Sequence, residues 1–460
     1  MVIVGGGPGG YEAALVAAQL GAEVTVVDSD GIGGAAVLTD CVPSKALIAT
    51  SDTAAEISDS AVLGLQLQKN GNEPAVHVDL TAVNRRIVDL ARAQSNDITT
   101  RLIKEGVTLV KGVGRLEGAD TVVARAPGGG EVVLPADVVL LSTGARPRTI
   151  ADAQPDGERI LTWQQIYDLT ELPEELIVVG SGVTGAELAG AYNALGSRVT
   201  LVSSRDHVLP GEDQDAAQVI EGVFARRGLT VLSRSRMQSV TRHGDRVIVT
   251  LTDGQTVEGS HALLAIGSLP NVESLDLVSA GIETAETGHI VVDRVSRTSV
   301  RGVYAAGDAT GVLPLASVAA MQGRIAMWHA LGDAVAPLNL RTVSSTVFTY
   351  PEIATVGYTE RELEEAAGAA EVIMQPLATN ARAKMMGVTD GFVKLFARPG
   401  SGSVIGGVVV APHASELIHA VSIAVEQGLN VDQLAQTFTV YPSLSGSVAE
   451  AARRLHRIED

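Results

Sequence analysis

Unbroken apolar runs of strand length recur along the chain, and most of them stop on a glycine. Val2-Ile-Val4 is followed by Gly5, Val138-Val-Leu-Leu141 by Ser142-Thr-Gly144, and Ile177-Val-Val179 by Gly180. Ala262-Leu-Leu-Ala-Ile266 ends on Gly267, and Val303-Tyr-Ala-Ala306 on Gly307. Such runs, apolar on both faces, suit strands of a sheet covered on both sides. Longer stretches at 44–58 and 80–104 carry helical patterning, and a short strand is expected at 107–111. Residues 246–257 alternate around Asp253-Gly254, a hairpin signal. From about 340 the pattern changes to strands with hairpin turns, such as Pro399-Gly-Ser-Gly402, and two amphipathic helices. That region reads as a separate α+β domain.

The pattern also repeats. Val2 to Asp28 and Ile177 to Ser203 align without a gap, each a strand, a glycine-rich turn, an alanine-rich helix and a second strand. Gly5, Gly7 and Gly10 match Gly180, Gly182 and Gly185; Leu20-Gly21 matches Leu195-Gly196, and Asp28 falls on Ser203. In this order the three glycines form a dinucleotide fingerprint. The first makes the tight turn, the second lets backbone approach a pyrophosphate, and the third lets helix and strand pack closely. The helix N-terminus then offers free N–H groups to the phosphates. One Gly-x-Gly-x-x-Gly alone is commonly just a tight turn; two collinear copies are specific.

Composition narrows the partners. With 34 Lys and Arg against 53 Asp and Glu, the net charge is −19, so nucleic acid and anionic membrane surfaces are not expected partners. No apolar stretch approaches the ~20 residues of a membrane span, so no integral membrane segment is expected. The opening residues lack the basic stretch of a signal peptide. The single cysteine, Cys41, excludes an internal disulfide framework and any multi-cysteine metal site, and fits a reducing cytoplasm. The nine histidines show no metal-ligand spacing, and no metal is expected.

Further motifs complete a pattern: Gly33-Gly34 followed by Cys41-Val-Pro-Ser-Lys45, Ser142-Thr-Gly144, Ala305-Ala-Gly-Asp308, Val347-Phe-Thr-Tyr-Pro-Glu-Ile-Ala354 and Val356-Gly357. With the two fingerprints, they make the chain resemble the pyridine-nucleotide-disulfide oxidoreductases over essentially its whole length. The resemblance implies an α/β fold with two Rossmann-like domains, for FAD and NAD(P), and a C-terminal α+β dimerisation domain. The implied layout is an FAD domain in two parts, 1–148 and 271–338, around an NAD(P) domain at 149–270, with 339–460 as the interface of a homodimer. Gly5, Gly7, Gly10, Gly33, Gly34, Gly114, Thr143, Gly144, Gly307 and Ala316 are implied FAD contacts. Asp28 would bond the adenosine ribose and Asp308 the ribityl chain. Lys45, paired with Glu187, would place a cation near flavin N5. Gly180, Gly182, Gly185 and Gly267 are implied on the nicotinamide side.

Departures from the family are informative. Its two redox cysteines stand four residues apart; Cys41 is the second, and Ala36 occupies the first position. Its C-terminal His-Pro and following Glu are replaced by Tyr441-Pro442 and Gly446. A histidine titrates near neutrality, whereas a tyrosine is a poor thiol base. Thiol, base and base-orienting carboxylate are missing together, so electrons are expected to leave from the flavin directly. A flat, apolar acceptor suits a site lined by Ala35 and Ala36. The chain is similar in this to cysteine-deficient, lipoamide-dehydrogenase-like quinone reductases of actinobacteria, and NAD(P)H:quinone oxidoreductase activity is expected. A soluble NAD(P) transhydrogenase is the alternative, and a non-catalytic flavoprotein subunit a third.

Two residues keep open readings. Cys41 is either a thiolate at the N-terminus of a helix begun at Pro43, or an inert small side chain under the ring. In the second fingerprint Ser203, Ser204 and Arg205 replace the acid that binds a ribose 2′-hydroxyl, and Arg205 suits a 2′-phosphate. NADPH is therefore favoured over NADH, with dual use open and a solvated Arg205 as the competing reading. Tyr441 is expected to face the partner subunit's flavin.

Overall fold

In the computed structural model, residues 1–65, 77–365 and 370–456 are described. The first sheet has five parallel strands in the spatial order Val303–Ala305, Val139–Leu141, Val2–Val4, Thr25–Asp28 and Thr108–Lys111. Val2–Val4 is central, and the chain passes to opposite sides of it. That reversal opens a crevice at the carboxyl ends of the strands, where such sheets take ligands.

The second sheet repeats this plan. Its order is Thr230–Leu232, Arg198–Val202, Glu175–Val179, His261–Leu264 and Ile160–Thr162, again all parallel, with the second fingerprint strand central. All five strands fall between the segments that build the first sheet. The two crossings between the sheets, Ala145–Pro147 and Ser268–Pro270, run side by side as an antiparallel pair.

Glycine sets how closely the layers approach. A Cβ on Gly10 would collide with the Gly5 carbonyl, and one on Gly185 with the Gly180 carbonyl. A Cβ on Gly323 would strike the Gly9 carbonyl, so helices Pro8–Gln19 and Ala316–Ala330 meet backbone to backbone.

The last region is a five-stranded antiparallel sheet ordered Ser344–Val347, Glu352–Gly357, Val404–Ala411, Phe392–Ala397 and Glu371–Pro376. Phe392–Ala397 and Val404–Ala411 are joined by the turn containing Pro399 and Gly402. Helix content there exceeds the two amphipathic helices expected. Ala414–Gln427 and Gly446–Arg454 are joined by short helices Glu360–Glu365, Ala381–Met385 and Val431–Gln436. Helices this short carry too little periodicity to be read from sequence.

The helix expected from Pro43 begins earlier. It runs Cys41–Asp59, with Pro43 in its first turn, where a missing N–H costs nothing.

Candidate functional site

The crevice of the first sheet is a cleft of about 680 Å³. It gathers ten of the expected contacts: Gly5, Gly7, Asp28, Gly34, Cys41, Thr143, Gly144, Gly307, Asp308 and Ala316. The N-terminal residues of helices Pro8–Gln19 and Ala316–Ala330 both line it, which favours an anion. Asp28 accepts hydrogen bonds from the N–H groups of Gly6 (2.6 Å), Asp30 (2.9 Å) and Gly31 (2.6 Å), fixing the fingerprint turn against the next loop. Thr143 Oγ1 donates to the Asn271 carbonyl (2.6 Å), and Asn271 Nδ2 donates to the Thr143 carbonyl (3.1 Å). The Gly307 N–H donates to Gln322 Oε1 (2.9 Å), holding the turn that carries Asp308.

Other expected contacts stand behind this wall. Gly10 lies beneath it, and Gly33 bends the loop with a φ of 103°. Gly114 packs under the sheet, where a Cβ would press on Val4. Gly267 takes a φ of 99° just beyond the strand end.

The second glycine of each fingerprint tests whether nucleotides fit. Gly7 and Gly182 have ordinary backbone angles, with φ of −69° and −71°. A Cβ on Gly182 would meet nothing within 4 Å, and one on Gly7 only Gly34 at 3.9 Å. Neither folding nor packing demands glycine there, which fits the fingerprint's expected use of that position for close approach of a bound group. Gly182→Ala is therefore expected to raise the KM for the nicotinamide nucleotide roughly tenfold. Its melting temperature should stay within about 2 °C of the unaltered protein, measured by thermal shift.

Lys45 lies one turn beyond Cys41 on the same helix. Its Nζ donates to Glu187 Oε2 (2.9 Å) and stands 5.0 Å from the Phe348 ring centre. Glu187 is buried, 3% exposed, and its other oxygen accepts the Phe348 N–H (2.8 Å). Burial alone would lower the Lys45 pKa, but the Glu187 carboxylate outweighs it and keeps the ammonium charged. The pair joins the Cys41–Asp59 helix, the second fingerprint helix and the last region.

Cys41 and Ala36 both line the cleft, with Ala35 beside them. The surroundings of Cys41 favour its reading as an inert small side chain. Burial, and then the Asp40 carboxylate, push its thiol up to about 12, outweighing Lys45. That direction is opposite to the lowering that a reactive thiolate needs.

Ser203 is fully buried. Its hydroxyl pairs with Ser181 Oγ (2.7 Å) and accepts the Arg205 N–H (3.1 Å), so it shapes the loop from within. Ser204 and Arg205 remain exposed. Tyr441 is 85% exposed, beside exposed Val440 and Phe438, and does not line this chain's own cleft.

Sequence reading missed several residues of the wall. Arg146 reaches Asn271 Oδ1 (3.1 Å) and the Glu273 carboxylate (2.5 Å), clamping the two crossings. Trp163 and Gln164 enter from beside the second sheet, and Asp40 from the turn before Cys41. An aspartate before a helix is ordinarily read as its cap, yet the Asp40 side chain makes no capping bond.

Two linked dinucleotide-type sheets, a shared cleft and a third α+β region define a two-nucleotide oxidoreductase. Residues 1–323 match the family model for pyridine nucleotide-disulphide oxidoreductases, and 343–452 that of their dimerisation domain. The chain belongs to this family, which implies FAD and a nicotinamide nucleotide as cofactors. It is 55% identical to the NAD(P)H dehydrogenase (quinone) of Mycobacterium tuberculosis, over 100% of this chain and 94% of that protein. It is 31% identical to the dihydrolipoyl dehydrogenase of Zymomonas mobilis, over 98% and 96%. The crystal structure of LpdA from M. tuberculosis superposes with a TM-score of 0.94 at 54% identity, covering 99% of each chain.

Proposed function

We propose that this chain is an NAD(P)H:quinone oxidoreductase that reduces neither lipoamide nor other disulfides. The observation that carries the reading is the cleft wall at Ala36 and Cys41, where alanine stands in place of one of the family's two thiols and no other cysteine exists to replace it. The relative named NAD(P)H dehydrogenase (quinone), matched over the whole chain, supports it.

FAD, when bound, accepts a hydride equivalent from NAD(P)H and releases two electrons to an acceptor. The residues expected to hold it are the first fingerprint, Asp28, Thr143, Gly144 and Asp308. Lys45, fixed by Glu187 one helical turn beyond Cys41, is the cation expected near flavin N5. The second fingerprint holds the nicotinamide nucleotide, and Ala35 and Ala36 give the acceptor an apolar wall.

NADPH is the favoured donor. Arg205 and Arg234 come together where the Arg234 N–H bonds the Arg205 carbonyl (2.9 Å), beside exposed Ser204. Asp206, the nearby acid, is paired with Arg234 (2.6 Å). Arg205→Ala is expected to lower the ratio of kcat/KM for NADPH over NADH about tenfold.

A homodimer is the proposed assembly, with the exposed Phe438–Tyr441 stretch against a second copy. No helix among the described residues is long and apolar enough to cross a membrane. With one cysteine and an acidic surface, the proposed location is the cytoplasm.

The experiment is anaerobic reduction of the purified flavoprotein with NADPH, then reoxidation with benzoquinones, naphthoquinones, lipoamide, oxidised glutathione or a nicotinamide analogue. Fast reoxidation by quinones alone is expected. Lipoamide matching the quinones would overturn the reading, and exchange with the nicotinamide analogue alone would indicate a transhydrogenase.

A further inference from the structure

Four carboxylates line the cleft: Asp28, Asp30, Asp40 and Asp308. Asp28 holds the fingerprint turn, Asp30 sits beside it at the nucleotide end, and Asp308 takes the position expected to bond the ribityl chain. Asp40 has no such duty. It precedes Cys41, its side chain leaves the helix uncapped, and its N–H donates to the Ala35 carbonyl (2.8 Å). Asp40 lines the cleft together with Ala35, Ala36 and Cys41, at the wall where the acceptor is proposed to sit.

We propose that Asp40 is the proton donor to the quinone, an inference that rests on the quinone reductase reading. Reducing a quinone to a hydroquinone takes two electrons and two protons. NAD(P)H is oxidised and supplies two electrons and one proton as a hydride equivalent; the other proton comes from water. In the proposed step the O–H bond of the Asp40 carboxyl breaks and an O–H bond forms on a quinone carbonyl oxygen. The resulting carboxylate then regains a proton from solvent, so each turnover takes up one proton.

The surroundings suit an acid that keeps its proton well above the usual carboxylate range. Burial, then Glu187 and Asp308, push the Asp40 carboxyl up to about 6, against the pull of Lys45. Lys45 is already engaged by Glu187. Cys41 and Tyr167, the other titratable groups coupled to Asp40, are both held protonated, chiefly by burial. The acid form is needed, so quinone reduction should fall as pH rises through about 6.

The test combines two readouts. Infrared difference spectra of the unaltered flavoprotein, recorded between about pH 5 and pH 8, should show a protonated-carboxyl band that titrates near 6 and is lost in Asp40→Asn. In stopped flow, quinone reoxidation by Asp40→Asn should slow about 10²-fold and lose its pH dependence, with partial return in Asp40→Glu. The loss should be much smaller with ferricyanide, which takes electrons without a proton. A titrating band absent from the unaltered protein would overturn the inference even if the variant failed to fold. So would Asp40→Asn matching the unaltered rate and pH profile, or an equal loss with ferricyanide. If the unaltered flavin is not bleached by NAD(P)H, or is bleached and not reoxidised by quinones, the quinone reductase reading fails instead. The infrared band still reports on Asp40 in that case.

Discussion

Lys45→Met is expected to slow flavin reduction by NAD(P)H about 10²- to 10³-fold, the usual cost of deleting one preorganised charge at a reacting centre. The ammonium is held from two sides, by Glu187 at 2.9 Å and by the Phe348 ring. A cation fixed before negative charge arrives stabilises that charge without reorganisation. Methionine keeps the bulk and removes the charge. It also leaves Glu187 buried with only the Phe348 N–H, so a structural effect accompanies the chemical one. The double variant Lys45→Met/Glu187→Gln separates them, because it removes the stranded carboxylate without restoring the cation. The double variant should recover thermal stability and remain slow in stopped-flow bleaching. Recovery of both would mean that Lys45 serves only to neutralise Glu187.

The second large effect concerns folding. Lys394→Met is expected to cost about 3–5 kcal/mol, the range found when one partner of a buried ionic cluster is deleted. Lys394 is 1% exposed, and its Nζ donates to Asp213 (2.8 Å), Asp215 (2.6 Å) and Glu360 (2.6 Å). Burial alone would drive its pKa down, but the three carboxylates outweigh burial and hold it well above the ordinary lysine value. Among the described residues these acids form the one group of three close enough to hold a metal, and the lysine stands in a cation's place. The cluster ties the N-terminus of helix Gln214–Arg226 to strand Phe392–Ala397 and helix Glu360–Glu365. Its loss should lower the first thermal transition and speed proteolysis between the second sheet and the last region. An unchanged melting temperature would contradict this account.

The two nucleotide sheets were legible in the sequence because each depends on local features: an apolar strand, a turn that excludes side chains, and a helix pressed onto it. The spacing of Gly5, Gly7 and Gly10, repeated in Gly180, Gly182 and Gly185, states that geometry directly. Ten residues drawn from the motifs line one cleft for the same reason. What the sequence hid arises between distant segments. Nothing near Asp40 announces Glu187 and Asp308, whose charges raise its pKa. Lys394 in Phe-Val-Lys-Leu-Phe-Ala looks like the polar position of an alternating strand; its burial depends on acids about 180 and 34 residues away. Ser203 misled through alignment: it matches Asp28, yet the Ser181 hydroxyl draws it inward. Cys41 stayed open in the sequence because helix position argues for a lowered pKa, while burial and the neighbouring acid, which push it up, come from the fold.

The paired crossings at Ala145–Pro147 and Ser268–Pro270 have a practical corollary. Entry to the nicotinamide-side lobe and exit from it pass through one doorway, latched by Arg146 and Glu273. Such a lobe is a cassette. Its two cut points are neighbours, so it can be exchanged as one piece, provided that the incoming lobe keeps the partners of Lys45 and Lys394 that bind it to the rest of the chain.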